Sequence, residues 1–110
     1  MSDALVILTN CPDDETADRI ARTLVESGLA ACVNRLAPAS SIYRWQGAVE
    51  RAVETPLLIK TTRERYTEVE QAIRAHHPYE VPEIVALPIE AGFAPYLRWI
   101  AAETRPPLLA

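Results

Sequence analysis

His76 and His77 stand side by side in front of Pro78, and the chain has no other histidine. Glu80 and Glu83 follow on either side of Val81-Pro82, which makes this stretch the densest set of metal-type ligands in the sequence. Imidazole suits copper, zinc and nickel, and it is also the side chain best placed to move protons near neutral pH. A helix end stopped by Pro78 is the structural alternative. A closed zinc centre needs more nitrogen or sulfur ligands than one such stretch offers. Proline disfavours helical geometry in the residue before it, so His76 is expected to end a helix and His77 to begin an extended segment. Successive side chains diverge at such a junction, and the two rings are not expected to chelate one ion unaided. One is expected to serve structure. The other is expected to be available to a metal together with water, Glu80, Glu83 or a group from a neighbouring chain.

The two cysteines, Cys11 and Cys32, are too few for a disulfide scaffold and too far apart for a C-x-x-C redox or zinc motif. Each reads first as a small buried hydrophobe. Cys32 lies in the apolar run 29–33. Cys11 precedes Pro12 at an expected helix start, where a depressed thiol pKa would leave a reactive role open. Lys60, the only lysine beside ten arginines, follows Leu57-Leu58-Ile59. It is expected either to snorkel to solvent or, desolvated, to act as a nucleophile or bind an anion. Tyr43 and Trp45 read as sheet core or interface anchors before a stacking platform. Glu50, Glu54 and Glu90 read as surface charge. Nucleotide-binding and hydrolase signatures are absent, and three glycines are too few for a phosphate cradle. With no base–nucleophile pair in view, an enzyme is not expected.

The elements that must hold these residues follow from periodicity. Ala4–Leu8 is a continuous apolar run and reads as a buried strand. Cys11-Pro12-Asp13-Asp14-Glu15 reads as a helix start, with Pro12 in the first turn and acids at the positive end of the dipole. Ala17, Ile20, Ala21, Leu24 and Val25 then form one apolar helical face, and Gly28 is the expected cap. Residues 30–34 read as a second strand, followed by a loop around Pro38. Two extended segments fill 41–62, with Gln46-Gly47 as their turn and an edge or bulge expected near Pro56. A second helix is expected over 63–75, a strand over 81–88, and a closing helix from about Ala94, ahead of the tail 105–110.

This order predicts an α+β, ferredoxin-like split βαβ plan, βαββαβ plus a C-terminal helix, with helices on one sheet face. The uncovered face and the aromatic hairpin point toward an oligomer. The length of 110 residues fits one domain spanning 1–110, and the net charge of −4 speaks against nucleic acid or an anionic membrane. No apolar stretch approaches the roughly 20 residues of a membrane span. The start Met1-Ser2-Asp3 lacks signal-peptide character, so a cytoplasmic location is expected.

Taken together, Ser41-Ile-Tyr43-Arg-Trp45-Gln-Gly47, Leu58-Ile-Lys60-Thr-Thr62 and His76-His-Pro-Tyr-Glu-Val-Pro-Glu83 closely resemble the CutA family of divalent-cation tolerance proteins. Residues 29–34 and 96–99 fit as well, and the match runs from about Leu5 to Ile100. The resemblance implies a ferredoxin-like protomer in a homotrimer similar in architecture to the PII signal proteins. It also implies a role in tolerance to copper and other divalent cations. As metal ligands it puts forward His76, His77 and Cys32, with Cys11 near a position where relatives can carry a cysteine, here Thr9. Another cysteine position of relatives is Ala72. The alternative is a small-molecule sensor or anchoring trimer with an inter-subunit pocket around Lys60, Trp45 and Tyr79.

Overall fold

The computed structural model describes residues 3–106; the last four residues of the predicted tail lie outside them. Strand β1 (Ala4–Cys11) alternates in burial, with Leu5, Ile7, Thr9 and Cys11 inside and Val6, Leu8 and Asn10 half-buried. It runs three residues past the apolar stretch because β4 (Ala48–Thr62) supplies backbone partners for its whole length, from Ala4↔Thr62 to Cys11↔Thr55. Helix α1 (Asp14–Glu26) begins later than expected. Asp13 is its cap, accepting from the Thr16 N–H at 2.7 Å, and that bond holds the Asp13 carboxyl below its ordinary pKa. Pro12 therefore precedes the helix, and Cys11 belongs to the strand. Gly28 takes φ +74° just beyond the helix, the left-handed cap that glycine accepts without steric cost.

Strand β2 (Cys32–Arg35) and strand β3 (Ala39–Trp45) both pair antiparallel with β4. They behave as one strand interrupted at residues 36–38, where Pro38 has no donor to give the ladder. The two hairpin residues Gln46 and Gly47 have φ +48° and +82°, the positive pair of a two-residue I′ turn. Opposite the break in the neighbouring strand lies Pro56. Its carbonyl accepts from the Leu36 N–H at 3.0 Å, so its missing donor faces that same side and strands no partner. No bulge is needed.

A 3-10 turn (Arg63–Arg65) leads into α2 (Tyr66–His76). Strand β5 (Ile84–Pro88) is shorter than predicted because 81–83 stay outside its ladder with β1. Helix α3 (Ala94–Glu103) is the last element among the described residues. The sheet order is β2-β4-β1-β5, with β3 beside the outer half of β4. Ile7, Ile20, Leu24, Leu57, Ile59, Val69 and Ile73 are fully buried between α1, α2 and one sheet face. On the other face, Ile100 and Leu97 of α3 pack with Ala4, Ala31 and Ile89. Val85 and Leu87 remain exposed.

The 48–54 half of β4 pairs with β3 alone, so the hairpin projects as an arm. The Cα radius of gyration, 14.7 Å, exceeds the roughly 13 Å of a compact domain of about 100 residues, as a projecting arm requires.

Candidate functional site

The junction at Pro78 divides the histidine pair. His76 is the last residue of α2, while His77 has extended backbone, φ −93° and ψ 132°. The His77 ring turns inward and is only 8% exposed. Its Nε2 lies 2.6 Å from the Asn10 carbonyl oxygen, and its Nδ1 accepts from the Tyr79 N–H at 3.2 Å. A carbonyl can only accept and an amide can only donate, so the ring is neutral with its proton on Nε2. Both nitrogens are occupied by backbone, and His77 ties the connection after α2 to the end of β1. It has no lone pair left for a metal. His76 is half-buried and engages no partner among the described residues. With Asp13 and Glu15 it lines a shallow depression at the start of α1.

Neither thiol joins it. Cys11 is fully buried, and burial, reinforced by the charges of Asp13 and Glu54, pushes its pKa up to about 11. This overturns the reactive-thiol reading: the residue sits at a strand end under the helix, where a thiolate is disfavoured. Cys32 Sγ lies 3.5 Å from the Tyr96 hydroxyl, on the opposite sheet face. In register Cys32 stands beside Lys60 and hence Val6, five residues along β1 from Cys11, about 17 Å at the rise of a strand. His76, His77, Cys11 and Cys32 therefore do not converge. Among the described residues no three His, Cys, Asp or Glu side chains group so as to hold a metal ion.

The alkaline behaviour of Cys11 follows. A thiol whose folded pKa lies above its ordinary value stabilises the fold fully below about pH 9 and loses that contribution as pH rises through about 11. A shift of this size corresponds to at most about 3 kcal/mol. Urea midpoints measured from pH 8 to 11 are expected to fall, and Cys11→Ala is expected to flatten the fall. An identical pH profile in the variant would count against this assignment. Below pH 9 a thiol reagent is expected to modify Cys32 and to reach Cys11 only on unfolding.

Of the residues expected around an inter-subunit pocket, Lys60, Trp45 and Tyr79, one chain brings two together. Trp45 and Tyr79 line a cavity of about 820 Å³ together with Tyr43, Glu54 and Glu83. Lys60 does not. Its ammonium donates to Asn34 Oδ1, and it lies six residues along β4 from Glu54, about 20 Å. Glu54, expected on the surface, is 7% exposed and accepts at Oε2 from the Tyr79 hydroxyl at 3.2 Å. Burial, then the Glu54 charge, pushes the Tyr79 hydroxyl up to about 12. At the rim Asn10 Nδ2 donates weakly to Glu83 Oε1 at 3.4 Å. Glu54 and Asn10 were missed by residue type alone; the one local hint was Pro56, which marks where β4 changes partners.

An antiparallel sheet with α1 and α2 on one face and α3 across the end of the other is a ferredoxin-like α+β arrangement, here with a free histidine at a helix end and an acidic aromatic cavity. Within that class the chain belongs to the CutA1 divalent ion tolerance protein family, whose profile matches residues 5–103. A relative from Thermus thermophilus, the divalent-cation tolerance protein CutA, is 48% identical over 99 residues, 90% of this chain and 96% of the relative. The crystal structure of CutA from Xylella fastidiosa is similar at TM-score 0.91 and 43% identity, over 94% of this chain and 99% of that one. A structure from Archaeoglobus fulgidus, called the periplasmic divalent cation tolerance protein CutA, reaches TM-score 0.90 at 39% identity, over 93% and 99%. No helix among the described residues is long and apolar enough to cross a membrane.

Proposed function

We propose that this chain is a homotrimeric, non-enzymatic divalent-cation-binding protein of metal tolerance, that copper is its ion, and that His76 is the ligand that receives it. The observation carrying this reading is the contrast within the histidine pair: His77 is consumed by backbone, whereas His76 keeps both nitrogens free beside Asp13 and Glu15. Imidazole is a good ligand for Cu²⁺, and nearby carboxylates raise the local concentration of cations. Arg19, 3.9 Å from Glu15, offsets part of that charge. Water or groups from a second copy complete the coordination, so affinity is moderate. Two free thiols suit a reducing compartment, and a cytoplasmic location is part of the proposal. The projecting arm and the exposed apolar side chains along it support the trimer.

Calorimetric titration with Cu²⁺ tests the ligand. His76→Ala is expected to weaken binding by at least roughly tenfold, or about 1.4 kcal/mol. An unchanged isotherm would remove His76 from the site.

A further inference from the structure

We propose that in the assembled protein the Lys60 ammonium of one copy enters the cavity beside Glu54 of the partner subunit and pairs with that carboxylate. The inference rests on the trimer put forward above. Glu54 is more than nine-tenths buried, yet no lysine, arginine or histidine among the described residues pairs with it. It accepts from the Tyr79 hydroxyl at Oε2, which leaves Oε1 without a donor among the described residues. A carboxylate held out of water without a cationic partner is costly and calls for one. Lys60 is its counterpart. No carboxylate among the described residues forms an ion pair with it, and Asn34 Oδ1 takes only one of its three donors.

The sheet sets both groups on the face that a second copy would cover. Glu54 and Lys60 stand six residues apart on β4, so their side chains point to the same side. In register Lys60 lies beside Val6, and Val6 beside the exposed Leu87. Covering that apolar row covers the ammonium with it, and a covered ammonium needs an anion. The other strand cations are elsewhere. Arg44 and Arg51 stand opposite Val49 and Ile42 on the other face of the arm, and Arg35 lies 3.6 Å from Asp18. About 20 Å of extended strand keeps Glu54 and Lys60 from meeting within one chain. A head-to-tail ring removes that obstacle, because each copy offers Lys60 to one neighbour and Glu54 to the other. Three copies then form three identical pairs and leave neither charge over. The cavity favours such a guest: Glu80 and Glu83 add negative charge beside Glu54, and no basic side chain of the same chain lines the space.

Charge reversal tests the pair by sedimentation equilibrium of the full chain at neutral pH. Glu54→Lys alone and Lys60→Glu alone each set like charges together, and each is expected to weaken association at least roughly tenfold. The combined variant, Glu54→Lys with Lys60→Glu, restores opposite charges at all three contacts and is expected to associate more tightly than either single variant. Single variants that associate as tightly as the unaltered chain would overturn the proposal. So would a folded combined variant no tighter than the singles. If the reversed chains do not fold, isotope-filtered nuclear magnetic resonance of the unaltered protein decides the matter. Particles refolded from labelled and unlabelled copies are expected to show nuclear Overhauser contacts between the Lys60 side chain and the ring of Tyr79 of the partner subunit. A trimer without those contacts would overturn the pairing alone, whereas a monomeric unaltered chain would overturn the trimer reading together with it.

Discussion

Replacing His77 with alanine is expected to destabilise the fold by about 2–4 kcal/mol, whereas His76→Ala is expected to stay within about 0.5 kcal/mol. Two identical neighbours should thus respond very unequally. Alanine at 77 strands the Asn10 carbonyl and the Tyr79 N–H, removing two part-buried bonds whose loss costs up to roughly 1–3 kcal/mol each where water does not replace the ring. It also removes the ring that packs on Tyr79 at a centroid distance of 4.6 Å, leaving a void that the surroundings fill only in part. Water entering that void recovers some of the hydrogen bonding, which is why the estimate lies below the plain sum. Urea denaturation of both variants at pH 7 checks the pair. Similar midpoints for the two would contradict the assignment of His77 as the structural member.

Charging the arm is expected to take the assembly apart. Val49 and Val53 of β4 are each 67% exposed. They share one face of the arm with Ile42 of β3, which stands opposite Arg51 in the ladder. Three β-branched side chains exposed on one face make an apolar stripe that nothing among the described residues covers, and such stripes mark contact surfaces. Val49→Asp combined with Val53→Asp is therefore expected to turn a three-chain particle into monomers at micromolar concentration, with the far-ultraviolet circular dichroism retained. The core between α1, α2 and the sheet does not involve these positions. Sedimentation equilibrium reads the result directly. A monomeric unaltered chain would defeat the trimer proposal, and an intact trimer in the variant would move the contact off this face.

Local chemistry made much of this architecture legible from the residues alone. The left-handed cap at Gly28 and the turn at Gln46-Gly47 depend on backbone freedom that few residues have, and both formed where predicted. Pro78 acts on its immediate neighbour, so the break between His76 and His77 was readable too. The strand ends were not. Thr9, Asn10 and Cys11 carry no strong strand signal, and they extend β1 only because β4, some 45 residues later in the chain, lies alongside to pair with them.

Side-chain roles divided along the same line. Residue type and spacing determined which groups carry usable chemistry: two imidazoles, two thiols, one amine and a set of carboxylates. Tertiary structure alone decided which of them are free. His77 differs from His76 because a carbonyl at the end of β1 and an amide after Pro78 claim both its nitrogens. Cys11 lost its reactive reading when the helix began after it and buried it beside two carboxylates. Lys60 and Glu54 lie on one strand and face the same side, yet the extended rise keeps them apart within one chain. Those outcomes rest on distances between segments remote in sequence. Composition and periodicity do not encode such distances; they arise when hydrophobic burial and strand pairing bring the segments together.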